Sequence, residues 1–333
     1  MSTVPLSRTA PAVIGGLWIS FFLWGMAPGY YTPAIPNILA AKGLGSEWLS
    51  YAFLAGPFAA MVSPLIIGAL ADNRFAAQKV VGCISIVSSC FLASAFAVLD
   101  RGGAPSVFIG LLACSSIMGA PMASMLASIS MVHLKSGEQE FPIIRLGGTL
   151  GWMAAGFITS FVLFADASPR AGYAAAVTRC TCGIFCFFLP HTPPLGRSRS
   201  LRTLLGLDAF KLLKERDHLV FFSVTALLSI PLAAFFMHTP IHLAALGNEK
   251  PTATMTIGQI SEIFEADDPH RPVGCCAQAG GAARSSATRA SGACRGRPVA
   301  RRCPSQSSLV ADPAERTVLK SYDPARILDF PLP

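Results

Sequence analysis

Charge is what this chain has least of. Only 13% of its 333 residues are Asp, Glu, Lys or Arg, about half the ~25% of an ordinary soluble domain. Catalytic furniture is scarce as well. The sequence has no glycine-rich phosphate loop, no nucleophile elbow and no Cys-x-x-Cys pair, so no enzyme, cofactor or structural metal is expected. His238 and His242 have a spacing that can hold zinc, but with no Cys or carboxylate near them they read as a wet helix face. The first segment lacks the charged start and small-residue cleavage site of a secretory signal and reads as retained. What fills the chain instead is apolar: 52% of residues, with mean hydropathy +0.53. One globule of this length cannot hide that much apolar surface, whereas runs of about 20 residues cross roughly 30 Å of hydrocarbon.

The pattern predicts an all-α membrane protein with spans at 12–31, 48–71, 80–99, 106–131, 143–165, 171–190 and 218–243, and an eighth beginning near 253. Cys83, Cys90, Cys114, Cys180, Cys182 and Cys186 fall inside these runs, where a thiol is a small hydrophobe rather than part of a disulfide framework. Basic residues set the orientation. One side carries Arg8, Arg74, Lys79 and Lys135, then Arg197, Arg199, Arg202, Lys211, Lys214 and Arg216. The other carries only Lys42, Arg101, Arg170 and Lys250. The basic side, with the amino terminus, is expected in the cytoplasm of a cell whose inner membrane the chain crosses several times. The net charge of +8 is thereby explained by topology, and the Arg-rich carboxy-terminal stretch has no aromatic interleaving before Tyr322, so no nucleic-acid partner is expected.

The expected organisation is a six-helix amino-terminal bundle at 1–190, a cytoplasmic linker at 191–217, the start of a second bundle at 218–264, and a tail at 265–333. In the linker, Leu204, Leu205, Leu207, Leu212 and Leu213 alternate with Arg202, Lys211, Lys214 and Arg216, as in a helix lying on the inner leaflet. Two bundles joined this way is a layout of transporters. The tail has neither helix nor strand periodicity, and the eighth span stops abruptly. A disordered tail and an out-of-frame reading of a GC-rich gene both fit; the second explains the interrupted span, and Arg179 amid Cys180 and Cys182 is placed with it.

Two motifs carry chemistry. After the second span stands Gly68-Ala-Leu-Ala-Asp72-Asn-Arg74-Phe-Ala-Ala-Gln-Lys79. It resembles the signature loop of the major facilitator superfamily, with Ala76 where that loop has its second glycine. The resemblance implies a conformational switch, Gly68 letting helices approach and Asp72 pairing with a basic side chain. The fifth span opens Phe141-Pro-Ile-Ile-Arg145-Leu-Gly-Gly-Thr149-Leu-Gly-Trp152. Arg145, Thr149 and Trp152, four and three apart, share a helical face. That face offers a cation, a hydroxyl and a ring on which a base can stack, though Arg145 can equally snorkel to the headgroups. Gly147 and Gly151 form a small-xxx-small stripe for close helix contact.

Phe141-Pro-x-Ile-Arg145-x-x-Gly-Thr149-x-Gly, Leu189-Pro-His-Thr-Pro-Pro194, Thr203-Leu-Leu-Gly-Leu-Asp-Ala-Phe210, Leu23-Trp-Gly25 and Ile257-Gly-Gln259-Ile-Ser-Glu262 together resemble the bacterial nucleoside/proton symporters of that superfamily, in order over about 15–264. The resemblance implies a nucleoside site lined by Arg145, Thr149, Trp152, Gln259 and Glu262, with Glu262 carrying the coupled proton. Burial disfavours the charged form of a carboxylate and suits it to that task. Nucleosides, protons and the lipid bilayer are the implied partners. The chain departs from the family at Ala233 and Phe236, where members with defined uridine sites have polar residues, and in lacking the family's later spans. Two alternatives stay open from sequence: a major facilitator carrying a sugar or other small polar solute, and a truncated remnant that does not transport.

Overall fold

A computed structural model describes residues 9–73, 76–193 and 214–266, with only the backbone of 63–73 and 261–266. No strand occurs among them. The helices are α1 (Pro11–Tyr31), α2 (Ile35–Ala41), α3 (Ser46–Asn73), α4 (Ala77–Asp100), α5 (Pro105–Gly119), α6 (Met122–His133), α7 (Gly137–Phe157), α8 (Arg170–Cys186), α9 (Arg216–Ala245) and α10 (Pro251–Ala266). Proline at the first position of α1, α5 and α10 starts a helix where a backbone N–H would have no partner anyway. Three helices stop on glycine in the left-handed region, Gly43 (φ 69°), Gly102 (φ 70°) and Gly247 (φ 82°). In each, the next amide reaches back to a carbonyl five residues earlier, as Leu44 N–H does to Leu39 at 3.0 Å.

Each expected span has a helix, and five details differ. A short buried helix, α2, follows the first span, its Ile35, Ile38 and Leu39 packed beneath Phe96 and Phe108. Pro121 lacks the N–H to continue the 106–131 span, which divides into α5 and α6. The fifth span begins at Gly137 instead of 143 because Glu140 is pinned there. Its Oε2 accepts the Thr9 hydroxyl at 2.6 Å and its Oε1 the Thr9 amide at 2.9 Å. Beyond Phe157 the same segment widens into a π-helical turn, Ile158–Val162, and the sixth span ends at Cys186.

The core is held in two apolar clusters. One gathers Leu92, Phe96, Phe108, Leu112, Ala171 and Ala175; the other Leu17, Phe21, Ile84, Leu126, Ile144 and Cys182. Helix α1 lies along α7 and α8, and α4 along α5 and α8. Helix α9 contributes little to either cluster: Val220, Phe221, Leu227, Leu228 and Ile230 are exposed, with Pro240 its buried residue. Among the described residues, five segments, Pro11–Ala41, Ala77–Asp100, Pro105–His133, Gly137–Val162 and Arg216–Ala245, are long and apolar enough to cross a membrane. Hydrocarbon rather than water is the natural solvent for such faces.

Candidate functional site

Helix α7 has two working faces. On the first, Gly147, Gly148 and Gly151 meet α1 so closely that a Cβ on Gly151 would fall 2.0 Å from the Phe22 carbonyl oxygen, and one on Gly147 2.8 Å from that of Trp18. From α1, Gly25 and Gly29 answer against Gly148 and Trp152. The glycine stripe therefore acts as expected. Roughly a third of a turn round the helix lie Arg145, Thr149 and Trp152, all half-buried. The Trp152 ring meets Phe236 of α9 edge-on, with centroids 5.8 Å apart and planes at 66°. That pair joins α7 to α9, on either side of the 191–217 segment in the chain.

The neighbouring helix on this side is α10. Ser160 meets Ala253 and Gly156 meets Thr256, so α10 runs antiparallel to α7. Continuing that register, Gln259 and Glu262 come level with residues 153 and 150. Gln259 is half-buried; Glu262 is described by its backbone alone. The helices thus bring Thr149, Trp152, Gln259 and the backbone of Glu262 to a similar depth, with Arg145 on the same face of α7 about two turns before Trp152. At the opposite end of α7, beside Thr9 and along the start of α1, lies an open groove of about 740 Å³ lined by Thr9, Pro11, Ile14, Gly15, Trp18 and Ile19.

A family model described as Nucleoside H+ symporter matches residues 16–266. The chain belongs to this family. Among curated proteins it is 31% identical over 260 residues to YegT of Escherichia coli K12, covering 74% of this chain and 58% of that protein. It is 27% identical over 263 residues to the nucleoside permease NupG of the same organism, covering 74% and 61%, and 22% identical to its xanthosine permease. A crystal structure of a NupG variant superposes with a TM-score of 0.68 at 24% identity over 76% of this chain and 66% of that one. The chain spans about three-fifths of the length of these curated relatives. The fold is that of an all-α, multi-pass membrane transporter.

Within the symporter fold, the loop expected to act as a switch is seen in part. Gly68 and Asp72 lie on the last turns of α3, Arg74 is outside the described residues, and Lys79 is exposed on the first turn of α4. Sequence reasoning missed the residues beside them. Gln78 Oε1 accepts the Thr192 amide at 3.0 Å, its Nε2 meets His191 Nδ1 at 3.0 Å, and His133 Nε2 meets the Thr192 hydroxyl at 3.0 Å. The loop is thereby tied to the ends of α6 and α8. The amphipathic linker helix and the tail fall outside the described residues, apart from 214–216 and the backbone of 265–266. His238 and His242 are exposed, and no metal-binding cluster of His, Cys, Asp or Glu is present among the described residues.

Arg179 requires a correction. It was expected to be out of place in its span, yet it is 8% exposed and well held. Its Nη1 donates to Ser88 Oγ at 2.9 Å and Ser115 Oγ at 3.0 Å, while the two serines bond across to each other's carbonyls. With buried Ser85 and Ser89 these form a polar layer between the two apolar clusters. A sixth helix with built partners for its charge needs no out-of-frame origin.

Proposed function

We propose that this family member is a proton-coupled nucleoside symporter of the inner membrane, working by alternating access between a bundle at 1–190 and one beginning at 218. The linker 191–217 and the amino terminus then face the cytoplasm. Arg145, Thr149 and Trp152 on α7 hold the nucleoside with Gln259 and Glu262 on α10. Glu262 exchanges the coupled proton, because a carboxylate within a span is costly when charged and is best neutral or paired as it crosses. The loop with Gly68, Asp72, Arg74 and Lys79 rearranges as the bundles rock.

One observation supports this reading above the others: the Trp152–Phe236 edge-on pair at the depth where α7 and α10 carry Thr149 and Gln259, with Arg145 further along the same face of α7. Flat apolar rings beside a guanidinium, a hydroxyl and an amide suit a ligand with an aromatic base and a hydroxylated sugar. A sugar site would need more hydrogen-bonding groups and less ring. Equilibrium binding of labelled uridine and adenosine to the detergent-purified 333-residue chain tests the cargo. Displacement by unlabelled nucleosides and none by hexoses is expected. Displacement by hexoses with indifference to nucleosides would overturn it. Accumulation driven by a proton gradient, abolished by an uncoupler, tests the coupling in cells.

A further inference from the structure

At the end of α7 far from Thr9, the two parts of the chain are locked together by an arrangement the transport site does not use. Helix α10 begins at Pro251 after Lys250, and a lysine side chain has no acceptor with which to cap a helix. The free amides of its first turn are satisfied from across the interface. Thr252 N–H donates to Asp166 Oδ1 at 2.9 Å and Ala253 N–H to Ser160 Oγ at 3.0 Å, while the Ser160 hydroxyl donates to the same Asp166 oxygen at 2.8 Å. Lys250 Nζ lies 3.9 Å over the Phe161 ring. One turn on, Gly156 admits the Thr256 methyl where a Cβ could not fit.

The backbone presenting these acceptors is unusual. Ser160 sits in the π-helical turn Ile158–Val162, and Phe164 has φ 48°, the left-handed value rare for a non-glycine residue. Such departures persist where surrounding contacts hold them, and they cluster at working sites. The closed contact is also imperfect: the Thr252 hydroxyl is buried without a hydrogen-bond partner among the described residues.

We infer that Ser160 and Asp166 form the latch of the gate at this end, a helix cap borrowed across the bundle interface that must release when the transporter opens to the side bearing the 163–170 connection. The inference rests on the alternating-access reading above but not on its cargo. Its chemistry is specific. Opening leaves two backbone amides and a carboxylate to water, so side chains at 160 and 166 set the balance between closed and open states without touching substrate.

Accessibility measures that balance directly. In the full chain, Thr256→Cys replaces a fully buried residue behind the latch, and its labelling by a membrane-impermeant maleimide is read against the parent chain. Slow labelling is expected with the latch intact. Adding Asp166→Ala or Ser160→Ala should raise the rate roughly tenfold, the scale of losing a charge-assisted hydrogen bond. Asp166→Asn, close in shape and less able to accept two donors at one oxygen, should raise it several-fold without threatening the fold. Unchanged labelling in Asp166→Asn and Ser160→Ala would overturn the latch. Because no nucleoside enters the assay, failure of nucleosides to bind would not alter its outcome.

Discussion

Arg179 poses the sharpest question at the scale of single residues, since a buried cation must be compensated where it sits. Its acceptors are neutral hydroxyls, 91 and 64 residues away in the chain. That distance is why sequence reasoning saw only an arginine among cysteines. A buried donor stripped of its acceptor costs about 1–3 kcal/mol, more when charged, whereas replacing the whole charge by an apolar group of similar length is often near neutral. Ser88→Ala combined with Ser115→Ala should therefore lower the melting temperature in detergent more than Arg179→Met does. Thermal unfolding followed by size exclusion decides it, and a more damaging Arg179→Met would show that the charge itself is required. Trp152 is the other residue whose value can be read. If its ring is the stacking surface, Trp152→Ala should weaken nucleoside binding by about 1–3 kcal/mol, roughly 5- to 150-fold in Kd. Trp152→Phe should keep most of that affinity. Equal losses in the two variants would assign Trp152 to packing against Phe236 alone.

For whole elements, the sequence was legible wherever the governing rule is local. Span length and hydropathy located every helix that crosses the core, and the Gly147/Gly151 stripe announced the close α1–α7 contact. Its energetic content can be tested with paired substitutions. Gly151→Ala places a Cβ 2.0 Å from a backbone oxygen of α1, and backbone cannot yield as a side-chain tip can. A loss of about 3 kcal/mol or more is expected. Gly110→Ala on α5 meets nothing within 4 Å and should be neutral or stabilising by about 0.5–1 kcal/mol. Comparable melting temperatures for the two variants would contradict the packing account. The elements that escaped sequence reading are those fixed by tertiary contact. Helix α2 owes its place to the cluster around Phe96 and Phe108. The π-helical turn widens a helix in a stretch, Ile158–Val162, with no breaker residue. The cap at α10 is invisible in its own sequence, because Ser160 and Asp166 come from a different part of the chain.

Across the whole molecule, every inference about direction depends on which side each end of the bundle faces. Charge gives one line of argument: ten basic residues, Arg8 through Arg216, lie on one side of the spans and four on the other. A bias of that kind in short connections holds the basic side in the cytoplasm. The structure then assigns features to those sides. The connections at Lys42–Gly45, Arg101–Ala104 and Leu246–Lys250, each closed by a left-handed glycine, share the sparse side with the 163–170 connection and the Ser160–Asp166 latch. The groove beside Thr9 and the Gln78–Thr192 contact at the start of α4 lie on the basic side. A cytoplasmic amino terminus therefore means that the latched end faces out and the Gln78–Thr192 end faces in. Single cysteines at exposed Ala167 and Glu249 should react with an impermeant maleimide added to intact cells, while one at exposed Lys135 should react only after the membrane is opened. The reverse pattern would invert the molecule. The latch would then guard the cytoplasmic side, and a proton drawn inward would have to reach Glu262 from the end where α7 and α10 are joined.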